Sequence, residues 1–188
     1  MSTLDNPIIE DNQAASPWAI AMRYGGMIAA IMIVITLVQY LSGFSDPANA
    51  QSPATMVIGF ISFAVWIGGV VMAVKAYRTE LGGYMSFGEG FRVGFFTFLV
   101  ISAISAVWNF LFYSFIASDF LEKTLEFVQY TMEDAGADDG TIDMMMGIYE
   151  RIYTPTGFML MSLVGGTIFG AIVSLIIGAA MKKNPPEA

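Results

Sequence analysis

Four long stretches without a charged residue constrain the fold more than any other feature of this sequence. They cover residues 24–43, 55–74, 93–118 and 152–181. A helix needs about 20 apolar residues to cross the hydrocarbon core of a bilayer, and each stretch is long enough. Only 13% of the residues are charged, whereas soluble domains carry about 25%. The sequence therefore excludes a water-soluble globule and predicts an all-α fold, an integral membrane four-helix bundle.

The predicted starts of the four helices carry independent signals. A hydroxyl residue followed by proline precedes three of them, at Ser16, Ser52 and Thr154, and the remaining helix opens with Ser86 and Glu89. Ser or Thr at the N-cap, Pro in the first turn and an S-x-x-E capping box all favour a helix start. We therefore predict one membrane domain over residues 1–188. Its spans are expected at about 17–42, 53–76, 87–117 and 154–182.

The first span has an alternative reading as a removable signal peptide. The small residues at 48–50 resemble a cleavage site. However, the segment before the apolar core carries Asp5, Glu10 and Asp11, and Arg23 is its only cation. A signal peptide has a positively charged start and a shorter apolar core, so we favour an uncleaved membrane anchor.

The distribution of cations predicts the orientation of the spans. Lys and Arg close to the ends of spans are retained on the cytoplasmic side. With four spans, the N-terminus, the loop between the second and third spans and the C-terminus lie on one side of the membrane. This side holds Arg23, Lys75, Arg78, Arg92, Lys182 and Lys183, and the opposite side holds Lys123 and Arg151. We therefore expect both termini in the cytoplasm.

The loop between the third and fourth spans is an acidic segment with helical periodicity, over residues 119–152. Residues 119–151 carry nine carboxylates and two cations, a net charge of −7 out of −8 for the whole chain. We predict a hairpin of two amphipathic helices here. The first begins at an Asp119 N-cap, ends at Gly136, and buries Leu121, Leu125, Val128 and Met132. The second begins at Thr141 and buries Ile142, Met145, Met146, Tyr149, Ile152 and Tyr153. These apolar faces either cover the outer ends of the spans or dock a partner.

The inventory of reactive side chains argues against catalysis. The sequence has no Cys and no His, which excludes thiolate and imidazole metal ligands and Ser-His or Cys-His nucleophile pairs. The turn at 135–143 fails as a calcium loop, because Ala135, Ala137 and Met146 occupy positions where carboxylates belong. We expect no enzyme activity, no cofactor, no metal and no nucleic-acid partner.

The polar residues inside the spans are uncharged, which argues against a proton-coupled transporter. They include Thr36 and Gln39, together with Ser102, Ser105 and Asn109 on one face of the third helix. That face either forms hydrogen bonds between helices or lines a path for a small neutral solute.

The fourth span carries a stripe of small residues at four-residue spacing. The stripe consists of Ser162, Gly166, Gly170, Ser174 and Gly178. Small side chains at this spacing allow a second helix backbone to approach closely. The stripe predicts close packing, either within one bundle or in a homo-oligomer.

The loop between the second and third spans carries the most distinctive motif. Its residues are Tyr77, Arg78, Gly82, Gly83, Tyr84, Ser86, Phe87 and Gly90. Together with the opening of the first span at 21–25 and the C-terminal residues 174–186, this motif resembles domain of unknown function 4199, a family of small bacterial membrane proteins. The resemblance implies a four-span protein of the bacterial inner membrane, and it implies no catalytic residues.

These observations predict a non-enzymatic membrane protein that acts by helix packing or as a partner-binding subunit. The alternative is a channel or facilitator for a small neutral solute. The two differ in the bundle interior, because transport needs a continuous wet path along Ser102, Ser105 and Asn109. A dry and closely packed seam along the small-residue stripe favours the first interpretation.

Overall fold

The computed structural model describes residues 16–184, so the two ends of the predicted domain, including Asp5, Glu10 and Asp11, lie outside the described residues. The described chain is all-α, and four of its helices are long and apolar enough to cross a membrane. These are α1 (Pro17–Leu41), α2 (Pro53–Glu80), α3 (Phe87–Leu111) and α6 (Pro155–Met181). The acidic segment at residues 119–152, which we call the outer segment, forms α4 (Phe120–Asp134) and α5 (Asp139–Ile152). A π-helical turn at Phe112–Ile116 prolongs α3, and a single 3-10 turn at Pro47–Asn49 lies between α1 and α2.

The predicted helix starts are confirmed for all four spans. The hydroxyl oxygens of Ser16, Ser52 and Thr154 accept the backbone N–H three residues on, and each of these helices begins with Pro. Ser86 forms the predicted capping box, in which the Glu89 N–H donates to Ser86 Oγ and the Ser86 N–H donates to Glu89 Oε2 at 2.7 Å. Side-chain oxygens thus satisfy backbone donors that an isolated helix leaves unpaired.

The second span runs farther than its apolar stretch predicted. The helix continues past residue 76 and ends at Glu80, where Gly82 and Gly83 adopt φ values of 75° and 93°. The charged residues after Val74 do not end a helix, because Lys and Arg favour helical backbone and carry their charge out to the interface. The left-handed glycines end it.

Helix α3 lies at the centre of the bundle. It packs along α6 most extensively, and α1 and α2 also contact it. The largest buried side chains include Phe98 and Ile101 of α3 and Val70 and Val74 of α2. Trp66 of α2 stacks on a ring of α6 and meets the Phe98 ring edge-on at 5.3 Å between centroids. The outward faces of the spans are apolar and exposed, as a lipid-facing surface requires.

The outer segment differs from its predicted details at three positions. Asp119 does not cap α4 with its side chain, because its carboxylate forms an ion pair with Lys123 Nζ at 2.6 Å. Helix α5 begins at Asp139 rather than Thr141, because Asp138 is the N-cap and accepts the Thr141 N–H. Ile152 is exposed rather than buried, because α5 ends there and α6 restarts after Thr154.

The other predicted apolar positions of the outer segment are buried or half-buried. On α4 these are Leu121, Leu125, Val128 and Met132, and on α5 they are Ile142, Met145, Met146 and Tyr149, with Tyr153 directly after α5. Gly136 ends α4 as predicted, with φ 76°. Its N–H donates to the Glu133 carbonyl, and the next N–H donates to the Met132 carbonyl, which satisfies two carbonyls at the helix end.

Candidate functional site

The small-residue stripe of α6 lies against α3 along an antiparallel seam. A Cβ placed at Gly90 would lie 3.1 Å from the Cα of Gly178, and one at Gly94 would lie 2.9 Å from Ser174 Oγ. One turn farther along, a Cβ at Gly170 would lie 2.5 Å from Phe98 Cγ. The two backbones therefore approach as closely as small residues allow.

The seam is packed without a polar path along it. Ser102 lies on Gly166, and the hydroxyls of Ser102 and Ser174 are buried with no hydrogen-bond partner in the described chain. These two serines act in the seam through their small size. Ser162, the outermost residue of the stripe, is half-buried and donates its hydroxyl to the Met159 carbonyl at 2.9 Å.

The loop between α2 and α3 is joined to the end of α6 by backbone and side-chain contacts, which we call the inner clamp (residues 77–90 with 181–183). Met85 and Lys183 exchange two backbone hydrogen bonds of 2.9 and 2.8 Å. The Arg78 guanidinium donates to the Met181 carbonyl at 3.3 Å, where it satisfies a carbonyl at the helix end. The Lys183 ammonium lies 5.5 Å from the centroid of the Tyr84 ring, within cation–π range.

The remaining motif residues of the loop shape the inner clamp. Tyr77 is buried, and Gly90 packs against the tip of Met85 and the backbone of Gly178. Gly82 and Gly83 supply the left-handed turn, and Ser86 caps α3. Phe87 is exposed and its ring stacks on that of Phe91. The motif thus connects three helices, α2, α3 and α6.

A cavity of about 500 Å³ lies at the opposite end of the bundle, and we call it the outer cavity. It lies between α1, α3, α4 and the connection from α1 to α2. Hydrogen-bonding side chains from the spans line it, together with aromatic rings and one carboxylate. Its lining includes Thr36, Gln39, Thr55, Asn109, Tyr113, Thr124, Phe44, Phe112, Phe120, Phe127 and Asp46.

The residues that the sequence placed on one polar face of α3 have different neighbours in the structure. Ser102 and Asn109 share a face of α3, but Ser102 is buried on Gly166 whereas Asn109 lines the cavity. Ser105 is half-buried between them. The predicted polar face therefore changes its surroundings along its length. The aromatic lining from α4 and from the α1–α2 connection was not predicted, since it depends on how the outer segment folds over the spans.

The Asp138 carboxylate caps the N-terminus of α5 and accepts two hydrogen bonds from Thr141. The Thr141 hydroxyl donates to Asp138 Oδ2 at 2.7 Å and the Thr141 N–H donates to Oδ1 at 3.0 Å. These hydrogen bonds hold the pKa of the Asp138 carboxyl below its usual value, since they favour the charged form. The stabilisation that the ionised Asp138 cap contributes is therefore fully present above the unfolded-state pKa. It is lost as the pH falls through the lower, folded-state pKa.

Replacing Thr141 by valine should raise the pKa of Asp138. The hydroxyl donor is the largest of the causes that lower this pKa, and valine removes it while keeping the shape of the side chain. A ¹³C NMR titration of the Asp138 carboxyl in the parent protein should give a midpoint below about 3.9, the usual value for Asp. A midpoint that is the same in the Thr141→Val variant would show that this hydrogen bond does not lower the pKa of Asp138.

The described residues contain no cluster of three or more His, Cys, Asp or Glu side chains placed to hold a metal ion. The nine acidic residues of the outer segment are instead spread over the surfaces of α4 and α5 and the turn between them.

Comparison with known proteins identifies the family. A family model described as "Protein of unknown function (DUF4199)" matches residues 23–183. The chain belongs to this family. The match confirms the resemblance seen in the loop between α2 and α3, and it covers the four spans except for residues 17–22 at the start of α1. No curated protein and no solved structure matches the chain. The DUF4199 match includes both residues of the backbone pairing in the inner clamp, Met85 and Lys183.

Proposed function

We propose that this protein is a non-enzymatic subunit of the bacterial inner membrane that binds another membrane protein through the outer face of α5. The observation that carries the proposal is the uneven burial of the α5 apolar face. Ile142 and Tyr149 face the chain, whereas Met144, Ile148 and Ile152 are 63%, 48% and 37% exposed. These three residues recur every four positions, so they form one continuous stripe. We call it the α5 stripe.

The apolar face of α5 is wider than the part that the chain itself covers. At 100° per residue, the apolar positions of α5 extend over about 200° of the helix circumference, and the chain covers only the part around Ile142, which leaves the α5 stripe exposed. Asp143 and Glu150 lie on the remaining polar side and are exposed. An apolar stripe between a packed face and a polar face is typical of a surface that another molecule covers.

A protein fits the α5 stripe better than the lipid surface does. Helices that lie in the membrane interface usually carry Lys and Arg on the polar face with Trp or Phe on the other. Helix α5 contains no Lys, Trp or Phe, and it carries three acidic residues against one Arg. Its exposed apolar positions are mainly Met and Ile, and methionine adapts readily to a partner surface.

The partner is proposed to be a membrane protein because the α5 stripe ends three residues before α6, a span with exposed apolar residues. Ile152 is the last residue of α5, and α6 starts three residues later and exposes Leu160, Met161 and Val164. A partner embedded beside α6 would contact both surfaces at once. The small-residue stripe of α6 is already packed on α3 within the chain, so a homo-oligomer would form through another surface.

The orientation is part of the proposal. Arg78 and Lys183 lie together in the inner clamp at one end of the bundle, and the acidic α4 and α5 lie at the other end. The positive-inside tendency supports a cytoplasmic inner clamp, cytoplasmic termini and an outer segment beyond the inner membrane. The alternative of a solute facilitator is less well supported, because the close approach of α3 and α6 leaves no room for a path along the seam.

Photo-crosslinking from α5 tests the proposal. With p-benzoylphenylalanine at Met144 in intact cells, we expect one discrete protein adduct that retains its mass under denaturing conditions. The same probe at Glu150, on the polar side of the same helix, is the matched control and should give at least tenfold less of that adduct. Adding Ile148→Glu to the Met144 probe variant should remove the adduct, because a charge would enter the α5 stripe. Adducts with lipid alone, or equal adducts from both probe positions, would contradict the proposal.

A further inference from the structure

We propose that the outer cavity binds a small uncharged molecule with one flat ring and hydrogen-bonding groups at its edge. This inference is independent of the partner proposed above, because the α5 stripe contributes no residue to the cavity lining. The cavity volume of about 500 Å³ lies within the range of small-molecule sites, about 300–1,000 Å³.

The lining offers hydrogen-bonding capacity that the chain itself leaves unused, from α1, α3 and α4. The half-buried side-chain amides of Gln39 and Asn109 line the cavity, and neither forms a hydrogen bond to another described residue. Each amide offers two donors and one acceptor oxygen. The Thr36 hydroxyl donates to the Met32 carbonyl at 2.9 Å and the Thr124 hydroxyl to the Phe120 carbonyl at 2.7 Å. These hydroxyls therefore retain acceptor capacity toward the cavity.

Aromatic rings supply the apolar part of the lining. Phe44 comes from the connection between α1 and α2, Phe112 from the π-helical turn, and Phe120 and Phe127 from α4. Ring faces and edges from three parts of the chain match a flat apolar body, which gains both buried area and ring–ring contacts.

The π-helical turn at Phe112–Ile116 ends α3 and shapes one wall of this site. Its wider winding is closed by the hydrogen bond from the Ala117 N–H to the Phe112 carbonyl at 2.8 Å. The Tyr40 hydroxyl donates to the Ile116 carbonyl at 3.0 Å and fixes the turn against α1. This turn places Phe112 and Tyr113 together in the lining.

The charges around the cavity select an uncharged ligand. Asp46 is the one ionised residue of the lining, and its carboxylate already accepts the Ala48 N–H at 2.9 Å. Lys123, the nearest cation of α4, is paired with Asp119. An anion would meet the Asp46 carboxylate and the negative field of the outer segment. A cation would meet the same carboxylate, but Asp46 is exposed and an ion pair with an exposed carboxylate contributes little. Such a pair would not offset the hydration that a cation loses among the amides and rings.

Three nearly isosteric probes test the charge rule: benzamide is neutral, benzoate is an anion and benzamidinium is a cation. Binding would be measured by saturation-transfer NMR with the full chain in nanodiscs, with empty nanodiscs to subtract partition into lipid. We expect saturable binding of benzamide at least tenfold tighter than that of either charged probe. Equal or tighter binding of benzamidinium or benzoate would overturn the inference, and so would the absence of saturable benzamide binding.

Two variants locate the binding. Gln39→Leu should weaken benzamide binding at least tenfold, since it replaces the amide by an apolar group of similar size. The matched control is Gln129→Leu on the exposed face of α4, which should leave the affinity unchanged. Asn109→Leu gives a second reading of the same site if Gln39→Leu fails to fold by circular dichroism. Unchanged affinity in a folded Gln39→Leu or Asn109→Leu variant would place the binding elsewhere and overturn the inference.

Discussion

Replacing Gly170 by isoleucine is expected to destabilise the protein by about 3 kcal/mol, the upper part of the usual range for overpacking a tight core. A side chain at Gly170 would enter the Phe98 ring, since even its Cβ would lie 2.5 Å from Phe98 Cγ. Phe98 has little room to move, because it is fully buried and Trp66 packs on it. Helices α3 and α6 would have to separate along the seam.

Gly165→Ile is the matched control for this prediction. It makes the same chemical change on the same helix, but at a position where a Cβ would meet nothing within 4 Å. The free energies of unfolding of both variants should be measured in the same bicelles by steric trapping. We expect the Gly165→Ile value to lie within about 0.5 kcal/mol of the parent. Equal stability of the two variants would show that the seam is not where α3 and α6 meet.

Replacing Gly90 by leucine is expected to destabilise the protein by about 2–3 kcal/mol, and to loosen the inner clamp at the same time. A Cβ at Gly90 would lie 2.9 Å from the Met85 Cε and 3.1 Å from the Gly178 Cα. The Met85 side chain can shift, but the Gly178 backbone can move only with α6. The clash therefore strains both the seam and the pairing of Met85 with Lys183.

The effect of Gly90→Leu on the inner clamp can be measured at one hydrogen bond between Lys183 and Met85. Amide hydrogen exchange at Lys183, whose N–H donates to the Met85 carbonyl at 2.8 Å, should become at least tenfold faster in Gly90→Leu. The control is Gly88→Leu, two residues away in the same motif, where a Cβ would meet nothing within 4 Å. If Lys183 exchanges at the parent rate in Gly90→Leu, the inner clamp does not depend on the approach at Gly90.

The helices were predictable because each carries its own local signals. The Pro after Ser16, Ser52 and Thr154 and the capping box at Ser86 mark helix starts in a few residues, and the lack of charges marks the spans. The small-residue stripe also indicated that α6 meets a backbone closely. It did not indicate which one, because the partner is determined by how four helices assemble rather than by any one of them.

The details that differed depend on contacts between distant parts of the chain. The pairing of Met85 with Lys183 joins residues about a hundred positions apart and has no periodic pattern. Asn109 was assigned to the same face as Ser102, which is correct for the helix, but the folded outer segment gives the two residues different neighbours. Asp119 satisfies the sequence pattern of an N-cap, yet its carboxylate is taken by Lys123 four residues on.

The most direct test of the central claim, four membrane crossings with the acidic segment outside, is labelling of single cysteines. The natural chain has no cysteine, so Glu80→Cys in the exposed end of α2 and Ala135→Cys in the turn after α4 each give one reactive thiol. A membrane-impermeant maleimide would be added to cells with a permeabilised outer membrane. We expect Ala135→Cys to react and Glu80→Cys to react only after the inner membrane is opened. Reaction of both thiols, or of Glu80→Cys alone, before the inner membrane is opened would contradict the account.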